Sequence, residues 1–212
     1  RLARAESIDT GKPFSMSTSV DIPRAQANFR FYASALLHQR SDAFHQPGQT
    51  IYYRMRQPLG VVACLAPWNL PLYLLTAKIA PALAAGNCVV AKASELSPMT
   101  AFLFSKACIE AGFPKGVLNI VHGSWQKVGL PLARHDGIRA LAFVGDSATG
   151  AALATQLAGS FKKLSLTLSG KNPNLIFEDC QFDQMMVGTL RSSFSNNGQI
   201  SFSGSRIFVQ RP

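Results

Sequence analysis

VVACLAPWNLPLYLLTAKIAPALAAGNCVVAK, residues 61–92, contains the pattern from which the fold is predicted. The apolar run 61–65 is followed by a helical segment, 72–85, that stops at Gly86, and then by a second apolar run, 88–91. Glycine commonly ends a helix because it adopts the left-handed backbone conformation without strain. Two short apolar runs joined by a helix are typical of a β-α-β unit, whose parallel strands are buried on both faces.

The same alternation continues along most of the chain. Residues 22–40 have helical spacing, with Asp21 as the expected N-terminal cap and Pro23 in the first turn. The order of elements predicts an α/β domain of nucleotide-binding type, with a parallel sheet covered by helices on both faces. Further helices are predicted over 97–112, 128–134, 147–157 and 182–194, and further strands over 50–58, 117–121, 140–144, 164–168 and 174–177.

Composition limits the classes of function. The 212 residues carry 21 Lys and Arg against 11 Asp and Glu, a formal net charge of +10, and 47% of them are hydrophobic. Such a chain can bury a core, which excludes an acidic or low-complexity disordered protein. The basic residues are dispersed, with no run longer than Lys162-Lys163, and this argues against a nucleic-acid partner. An anionic small ligand and an ordinary basic surface explain the charge equally well.

The four cysteines occur without a C-x-x-C pair and without a histidine at zinc spacing. This argues against a disulfide framework and against a metal site, so we expect a reducing, cytoplasmic location. No apolar run reaches the roughly 18 residues of a membrane span, and the start has no signal-peptide pattern. We therefore expect no membrane partner. The chain begins with Arg1 rather than Met, which favours a piece of a longer protein or a processed product.

Parallel sheets of this type bind ligands at the carboxyl ends of their strands. The candidate site therefore consists of the segments that follow the predicted strands. These segments are 66–71, 92–95, 122–125, 145–147 and 168–172. No G-x-G-x-x-G motif is present, so the pattern alone does not establish dinucleotide binding.

Five segments nevertheless match one family in order and spacing. They are ESIDTGKP at 6–13, PWNLP at 67–71, KASE at 92–95, LSGKNP at 168–173, and GQIS at 198–201 followed by GSR at 204–206. Together they resemble the aldehyde dehydrogenase superfamily over nearly the whole chain. The sequences of these segments are most similar to those of the 2-aminomuconate semialdehyde and retinal dehydrogenase branches.

The resemblance implies a domain organisation and a chemistry. Residues 1–168 correspond to a Rossmann-like NAD-binding domain, incomplete at its N-terminus, and 169–212 to the start of a truncated catalytic domain. In the family, a Cys thiolate attacks the aldehyde, hydride passes to NAD(P)+, and a water activated by Glu hydrolyses the thioester. An Asn amide and a backbone N–H stabilise the oxyanion. A small aldehyde and a nicotinamide nucleotide are the implied ligands.

Several implied site residues keep the family's residue type. Asn69 corresponds to the oxyanion Asn, although a loop Asn can also serve only a turn. Lys92 and Glu95 correspond to the residues that hold the adenosine ribose, and Glu95 favours NAD over NADP; a solvated Lys/Glu pair opening a helix is the alternative. The implied cofactor-binding set is Leu65, Ala66, Pro67, Trp68, Lys92, Ser94, Glu95, Trp125, Gly145, Asp146, Leu168 and Ser169.

Five positions depart from the family pattern. Ser201 stands at the position of the nucleophilic Cys, and Thr167 at that of the general-base Glu. Asp146 replaces a Ser at a helix start near the pyrophosphate, where it would repel phosphate or simply cap the helix. Trp125 replaces a Gly beside the adenine, where the indole either fills the pocket or turns outward. Ser169 replaces a Gly near the nicotinamide and can crowd it.

These substitutions predict a family member that does not oxidise aldehydes and whose NAD binding is weakened or lost. Two alternatives remain open. One is an active or residually active NAD(P)+-dependent aldehyde dehydrogenase, or an esterase that uses Ser201. The other is a nucleotide-binding sensor or a structural, crystallin-like protein. We also expect an exposed apolar face, and hence self-association or a missing partner segment.

Overall fold

The structure, a computed structural model, describes residues 1–211. Within them, strands β3, β4, β5, β6 and β7 form one sheet in the order β5-β4-β3-β6-β7, and all neighbours in it are parallel. Two smaller sheets are an antiparallel β1–β2 pair and a parallel β8–β9 pair. The strands are β1 (Ala43–Gln46), β2 (Thr50–Tyr53), β3 (Val61–Leu65), β4 (Cys88–Lys92), β5 (Leu118–Val121), β6 (Ile138–Gly145), β7 (Lys163–Leu168), β8 (Pro173–Ile176) and β9 (Arg206–Val209).

Helices connect the parallel strands, as β-α-β units require. Two π-helical turns, Ser17–Asp21 and Trp125–Gly129, precede the third and sixth helices. The α-helices are α1 (Leu2–Thr10), α2 (Phe14–Met16), α3 (Ile22–Leu37), α4 (Pro71–Ala84), α5 (Met99–Glu110), α6 (Leu130–Arg134), α7 (Ser147–Leu157) and α8 (Phe182–Phe194).

The central strand β3 shows why the apolar runs do not alternate with polar residues. Val62 and Cys64 belong to the core cluster beneath α4 and α5, whereas Ala63 and Leu65 belong to the cluster beneath α6 and α7. Both faces of the strand are therefore buried, which is typical of parallel sheets covered by helices on both sides. The helix residues that cover the two faces are Leu75, Ile79 and Ala101 on one and Ala133, Leu153 and Leu157 on the other. The predicted α/β fold class is confirmed.

The prediction that Asp21 caps a helix is wrong. Asp21 has helical angles, φ −69° and ψ −49°, and makes no side-chain capping bond. It lies in a π-helical turn between α2 and α3, and its carboxylate accepts a hydrogen bond from Lys12 Nζ at 2.7 Å. A buried ion pair and a helix cap both use an Asp at a helix start, so local sequence does not distinguish them.

Four helices or strands are absent from the sequence prediction: α1, α2, β1 and β9. Strand β1 pairs with β2, and all eight side chains of this hairpin are exposed, so no apolar pattern marks it. Strand β9 pairs with β8, which begins five residues after the end of the central sheet at Leu168. The domain boundary at 168/169 stays a prediction.

The chemical inventory of residues 1–211 is limited. None of their helices is long and apolar enough to cross a membrane. In the same part of the chain, no three His, Cys, Asp or Glu side chains come together as metal ligands. The four cysteines are unpaired, with Cys64 and Cys108 buried and Cys180 exposed.

Candidate functional site

The predicted site segments meet at one edge of the central sheet. Strands β4, β3, β6 and β7 are neighbours in that order. Leu65 is in register with Lys92 on one side and with Phe143 on the other, and Gly145 is in register with Leu168. The carboxyl ends of four parallel strands therefore open at the same edge, where ligands bind in such sheets.

Lys92 and Glu95 form an ion pair at this edge. The Lys92 Nζ lies 2.5 Å from Glu95 Oε2, with Lys92 buried and Glu95 exposed. The hydrogen bond from Lys92 lowers the pKa of Glu95, so the carboxylate is ionised at neutral pH. The other carboxylate oxygen accepts from the Trp125 backbone N–H at 3.2 Å. The Oγ of buried Ser94 accepts from the Leu96 N–H at 3.2 Å.

Trp125 packs inward. Its ring lies 6.2 Å from the Phe143 ring, centroid to centroid, at an interplanar angle of 60°. It also covers Gly129, where an added Cβ would meet the indole at 2.5 Å. The indole packs on the core cluster beneath α6 and α7 and does not turn outward; whether it fills the adenine pocket stays a prediction.

Asp146 is the N-terminal cap of α7. Its Oδ1 accepts from the Thr149 N–H at 2.8 Å and its Oδ2 from the Thr149 hydroxyl at 2.7 Å. These hydrogen bonds lower the pKa of Asp146. A helix N-terminus is a ready binding site for an anion, and here the protein's own carboxylate occupies it. Next to it, the Ser147 hydroxyl donates to the Ser169 carbonyl at 3.1 Å and links α7 to the end of β7.

Two side chains that the sequence analysis did not identify donate hydrogen bonds to the backbone of the P-W-N loop, residues 67–69. Buried Lys12 donates to the Asn69 backbone carbonyl at 3.1 Å, and buried Asn196 donates to the same oxygen at 3.0 Å. The Asn69 side-chain amide donates to the Gln199 carbonyl at 2.8 Å. Asn69 is thereby fixed beside the loop that leads to Ser201, and its amide is engaged with backbone.

Lys12 itself belongs to a buried charged cluster. Its ammonium lies 2.7 Å from Asp21 Oδ2 and 3.7 Å from Glu6 Oε1, and none of these three side chains is more than 1% exposed. Burial raises the pKa of Glu6 to about 7, against the opposing charge of Lys12. The motif at 6–13 contains two of the three residues, but nothing in it indicates burial.

Among residues 1–211, no recorded hydrogen bond joins an acidic side chain to either of the two positions that carry the predicted chemistry. Thr167 is exposed at the end of β7, and its hydroxyl accepts a hydrogen bond from Lys78 Nζ at 2.8 Å. Ser201 is exposed, and its backbone carbonyl accepts from the Asn172 amide at 2.9 Å. Among the hydrogen bonds of residues 1–211, none joins the Ser201 hydroxyl to a carboxylate or an imidazole. Lys78 was not predicted; its only signal is a lysine within an apolar helix.

A cavity of about 670 Å³ opens between the α2–α3 region and α8. It is lined by Arg24, Arg191 and Ile200, among others, and no Asp or Glu contributes to its lining. The Arg24 guanidinium lies 5.2 Å from the centre of the Tyr73 ring, which holds it by a cation–π contact. Because Ile200 precedes Ser201, this positively charged cavity adjoins the position of the predicted nucleophile.

A model of the aldehyde dehydrogenase family matches residues 1–212. The chain belongs to the aldehyde dehydrogenase family. It is 47% identical over 211 residues to a Mus musculus protein named 2-aminomuconic semialdehyde dehydrogenase, and 44% identical over 213 residues to a Pseudomonas protein named 2-aminomuconic 6-semialdehyde dehydrogenase. The matches cover 99% and 98% of this chain but only 43% of each relative. The resemblance is confirmed, and the chain spans less than half the length of these relatives.

Solved aldehyde dehydrogenase structures share the fold. The chain superposes on an NAD+ complex of an aldehyde dehydrogenase from Bacillus cereus with a TM-score of 0.95 at 35% identity. It superposes equally well, at 36% identity, on PnpE in complex with nicotinamide adenine dinucleotide, a protein of Pseudomonas sp. WBC-3. Each match covers 99% of this chain and 43% of the solved chain.

The family's dinucleotide fits this aldehyde dehydrogenase chain only in part. The Lys92–Glu95 pair presents an ammonium and a carboxylate suited to ribose hydroxyls. At the start of α7, however, the ionised Asp146 carboxylate accepts the Thr149 N–H and hydroxyl bonds and places a negative charge at the helix N-terminus, where it repels a phosphate. The charges here therefore suit ribose hydroxyls at the Lys92–Glu95 pair and disfavour a phosphate beside Asp146.

Proposed function

We propose that this chain keeps the framework of an aldehyde dehydrogenase but does not oxidise aldehydes. The observation that carries the proposal is the contact between Thr167 and Lys78, at 2.8 Å. A neutral hydroxyl, hydrogen-bonded to an amine, stands at the position implied for the carboxylate that activates water. A Thr hydroxyl does not accept a proton near neutral pH, so hydrolysis of a thioester would lack its base.

The first chemical step lacks its group as well. A thiol is readily tuned to a reactive thiolate, whereas the Ser201 hydroxyl needs a strong neighbouring base. Within the part of the chain that the structure describes, no recorded hydrogen bond joins His122 or His135 to Ser201. His122 is exposed, and exposed His135 accepts a hydrogen bond from the Gly137 N–H at 3.0 Å through its Nδ1. The esterase alternative therefore has no favouring contact.

For the cofactor, we propose weak binding of NAD+ and weaker binding of NADP+. The ionised Glu95 carboxylate supports discrimination against a ribose 2′-phosphate by charge repulsion. Asp146 supports the weakness of both, because it opposes a pyrophosphate at α7. The NAD complexes of the Bacillus cereus enzyme and of PnpE support NAD as the family ligand.

For the ligand of the cavity between α2–α3 and α8, we propose a small aldehyde that also carries a carboxylate. Arg24 and Arg191 supply two guanidinium groups without a neighbouring acid in the lining. Guanidinium groups bind carboxylates by charge-assisted, often paired, hydrogen bonds. The semialdehyde names of the relatives support the same substrate class.

For association, we propose that the chain self-associates or binds a partner through α8 and the β8–β9 pair. Apolar side chains on these elements are largely exposed, and exposed apolar patches of this kind mark interaction sites. Sedimentation of a single monomeric species at high concentration would contradict this. The exposed members are Leu175, Phe182, Val187, Leu190, Phe194 and Phe208.

The exposed free thiol of Cys180 supports a cytoplasmic, reducing location.

The experiment restores the Cys at position 201 and then the Glu at position 167, and measures NADH formation from simple aldehydes by absorbance at each stage. We expect no aldehyde-dependent signal from the natural chain or from Ser201→Cys. We expect weak turnover at most from Ser201→Cys with Thr167→Glu, because Asp146 and Trp125 remain. Turnover by the natural chain that Ser201→Ala abolishes would overturn the proposal. Robust turnover by the double variant would show that Asp146 and Trp125 are tolerated.

A further inference from the structure

A second polar group lies between α4 and the edge strand β7. Alternate side chains of a strand point to the same face, so Lys163, Ser165 and Thr167 share one face of β7. Lys78 of α4 reaches this face, because its Nζ donates to the Thr167 hydroxyl at 2.8 Å. The result is a row of two hydroxyls with an amine at each end.

A cavity of about 560 Å³ lies beside this row. Lys78, Lys163 and Ser165 line it on the polar side, and Val62 and Ala142 belong to its apolar lining. No Asp or Glu contributes to the lining. A small molecule with an anionic end and an apolar body therefore matches the cavity in charge and in polarity.

Asn87, a further polar side chain of the lining, makes three hydrogen bonds to backbone groups. Its Oδ1 accepts from the Leu59 and Gly60 N–H groups at 2.7 and 3.2 Å, and its Nδ2 donates to the Ala82 carbonyl at 3.0 Å. The other polar side chains of the lining are Lys78, Lys163, Ser165 and Tyr32, and the two lysines are its positively charged groups.

Lys78 differs from an ordinary surface lysine. It is half-buried, and no ion pair holds it among residues 1–211. Burial lowers its pKa, which increases the unprotonated, nucleophilic fraction of the amine. The thiol of Cys64 beneath it has a pKa raised by burial to about 12 and stays neutral, so it supplies no counter-charge that would keep Lys78 protonated.

We propose that this cavity binds small aldehydes that carry a carboxylate, with Lys163 pairing the carboxylate and Lys78 capturing the aldehyde as a reversible imine. The Lys78 nitrogen attacks the carbonyl carbon, a C–N bond forms, and a proton moves from nitrogen to oxygen. Loss of water from this carbinolamine gives the imine, and addition of water reverses the step. No oxidant or reductant takes part. The site shares the Lys78–Thr167 hydrogen bond with the proposed loss of oxidation but uses neither Ser201 nor a dinucleotide, and imine labelling is measured without aldehyde oxidation, so the two proposals fail separately.

The test uses the full chain, succinic semialdehyde as probe, and cyanoborohydride to fix the imine for peptide mass mapping. We expect Lys78 to be the main labelled lysine. Butanal, which lacks the carboxylate, should label Lys78 about fivefold less, the ratio expected for one partly exposed charge pair. Excess succinate should suppress labelling of Lys78 by the semialdehyde, because it competes for the same cavity.

Variants separate a built site from general lysine reactivity. Lys163→Gln should lower semialdehyde labelling at Lys78 to the butanal value, and Lys78→Arg should remove it. The matched control, Lys115→Arg at an exposed lysine, should leave labelling at Lys78 unchanged; a melting curve for each variant shows that it is folded. Label spread over the surface lysines, or equal labelling of Lys78 by the two aldehydes, would overturn the proposal.

Discussion

Replacing Asp146 by Asn should raise the affinity for NAD+ while leaving the fold intact. Asn is isosteric with Asp and an equally good helix cap, so it can still accept the Thr149 N–H bond at the start of α7. The substitution removes the negative charge from the helix terminus. Two unit charges 4 Å apart repel by about 1 kcal/mol in water and about 4 kcal/mol near a less exposed surface.

The lower part of that range applies here, because Asp146 is exposed. A relief of about 1–2 kcal/mol corresponds to a roughly five- to thirtyfold tighter NAD+ complex. Calorimetric titration of both proteins with NAD+, and with adenosine as a phosphate-free control, measures it. Adenosine affinity should not change.

The free energy of unfolding separates the capping role of Asp146 from its repulsion of phosphate. The free energy of unfolding of Asp146→Asn should lie within about 0.5 kcal/mol of that of the natural chain. Asp146→Ala, which loses the helix cap, should be less stable by about 1 kcal/mol. Unchanged NAD+ affinity in Asp146→Asn, or an equal gain for adenosine, would refute the argument that this carboxylate opposes the pyrophosphate.

Three further predictions concern stability. Burial raises the pKa of Glu6 from 4.5 to about 7, so the stability that it contributes is present below pH 4.5 and lost as pH rises through 7. Urea unfolding should show that the natural chain loses about 3 kcal/mol relative to Glu6→Gln between pH 4.5 and 8, and parallel pH profiles of the two proteins would contradict it. Lys12→Met leaves two buried carboxylates unpaired and should destabilise the chain by about 3–5 kcal/mol in denaturant, whereas a loss below about 1 kcal/mol would show that the cluster is not held by Lys12. Gly145→Ala places a Cβ 2.4 Å from the buried Phe143 ring and should lower the free energy of unfolding by about 1–3 kcal/mol. The matched Gly170→Ala, where a Cβ meets open space, should be neutral, and equal melting temperatures of the two variants would count against this packing.

The sequence predicts the central sheet well because burial on both faces leaves a local mark. The run 61–65 is apolar throughout, and the structure buries its alternate residues beneath different helices. Asp146 shows the same advantage, since a cap depends only on residues within one helical turn. Both features are determined by neighbours in sequence.

Contacts between distant residues are where sequence reasoning was incomplete. Lys12 meets Asn69 across 57 residues, and Lys78 meets Thr167 across 89. Neither lysine differs locally from a solvated one, so their burial and partners emerge only when the sheet assembles. Asp21 was assigned a local role for the same reason, although its partner is Lys12.

The most direct measurement is the amount of carboxylic acid formed in a single turnover, with the natural chain in excess over an aldehyde and NAD+ saturating. Mass spectrometry of the products counts acid molecules per chain. The account predicts no acid above a chain-free control, since Ser201 and Thr167 supply neither nucleophile nor base. Acid that requires NAD+ and disappears in Ser201→Ala would contradict it.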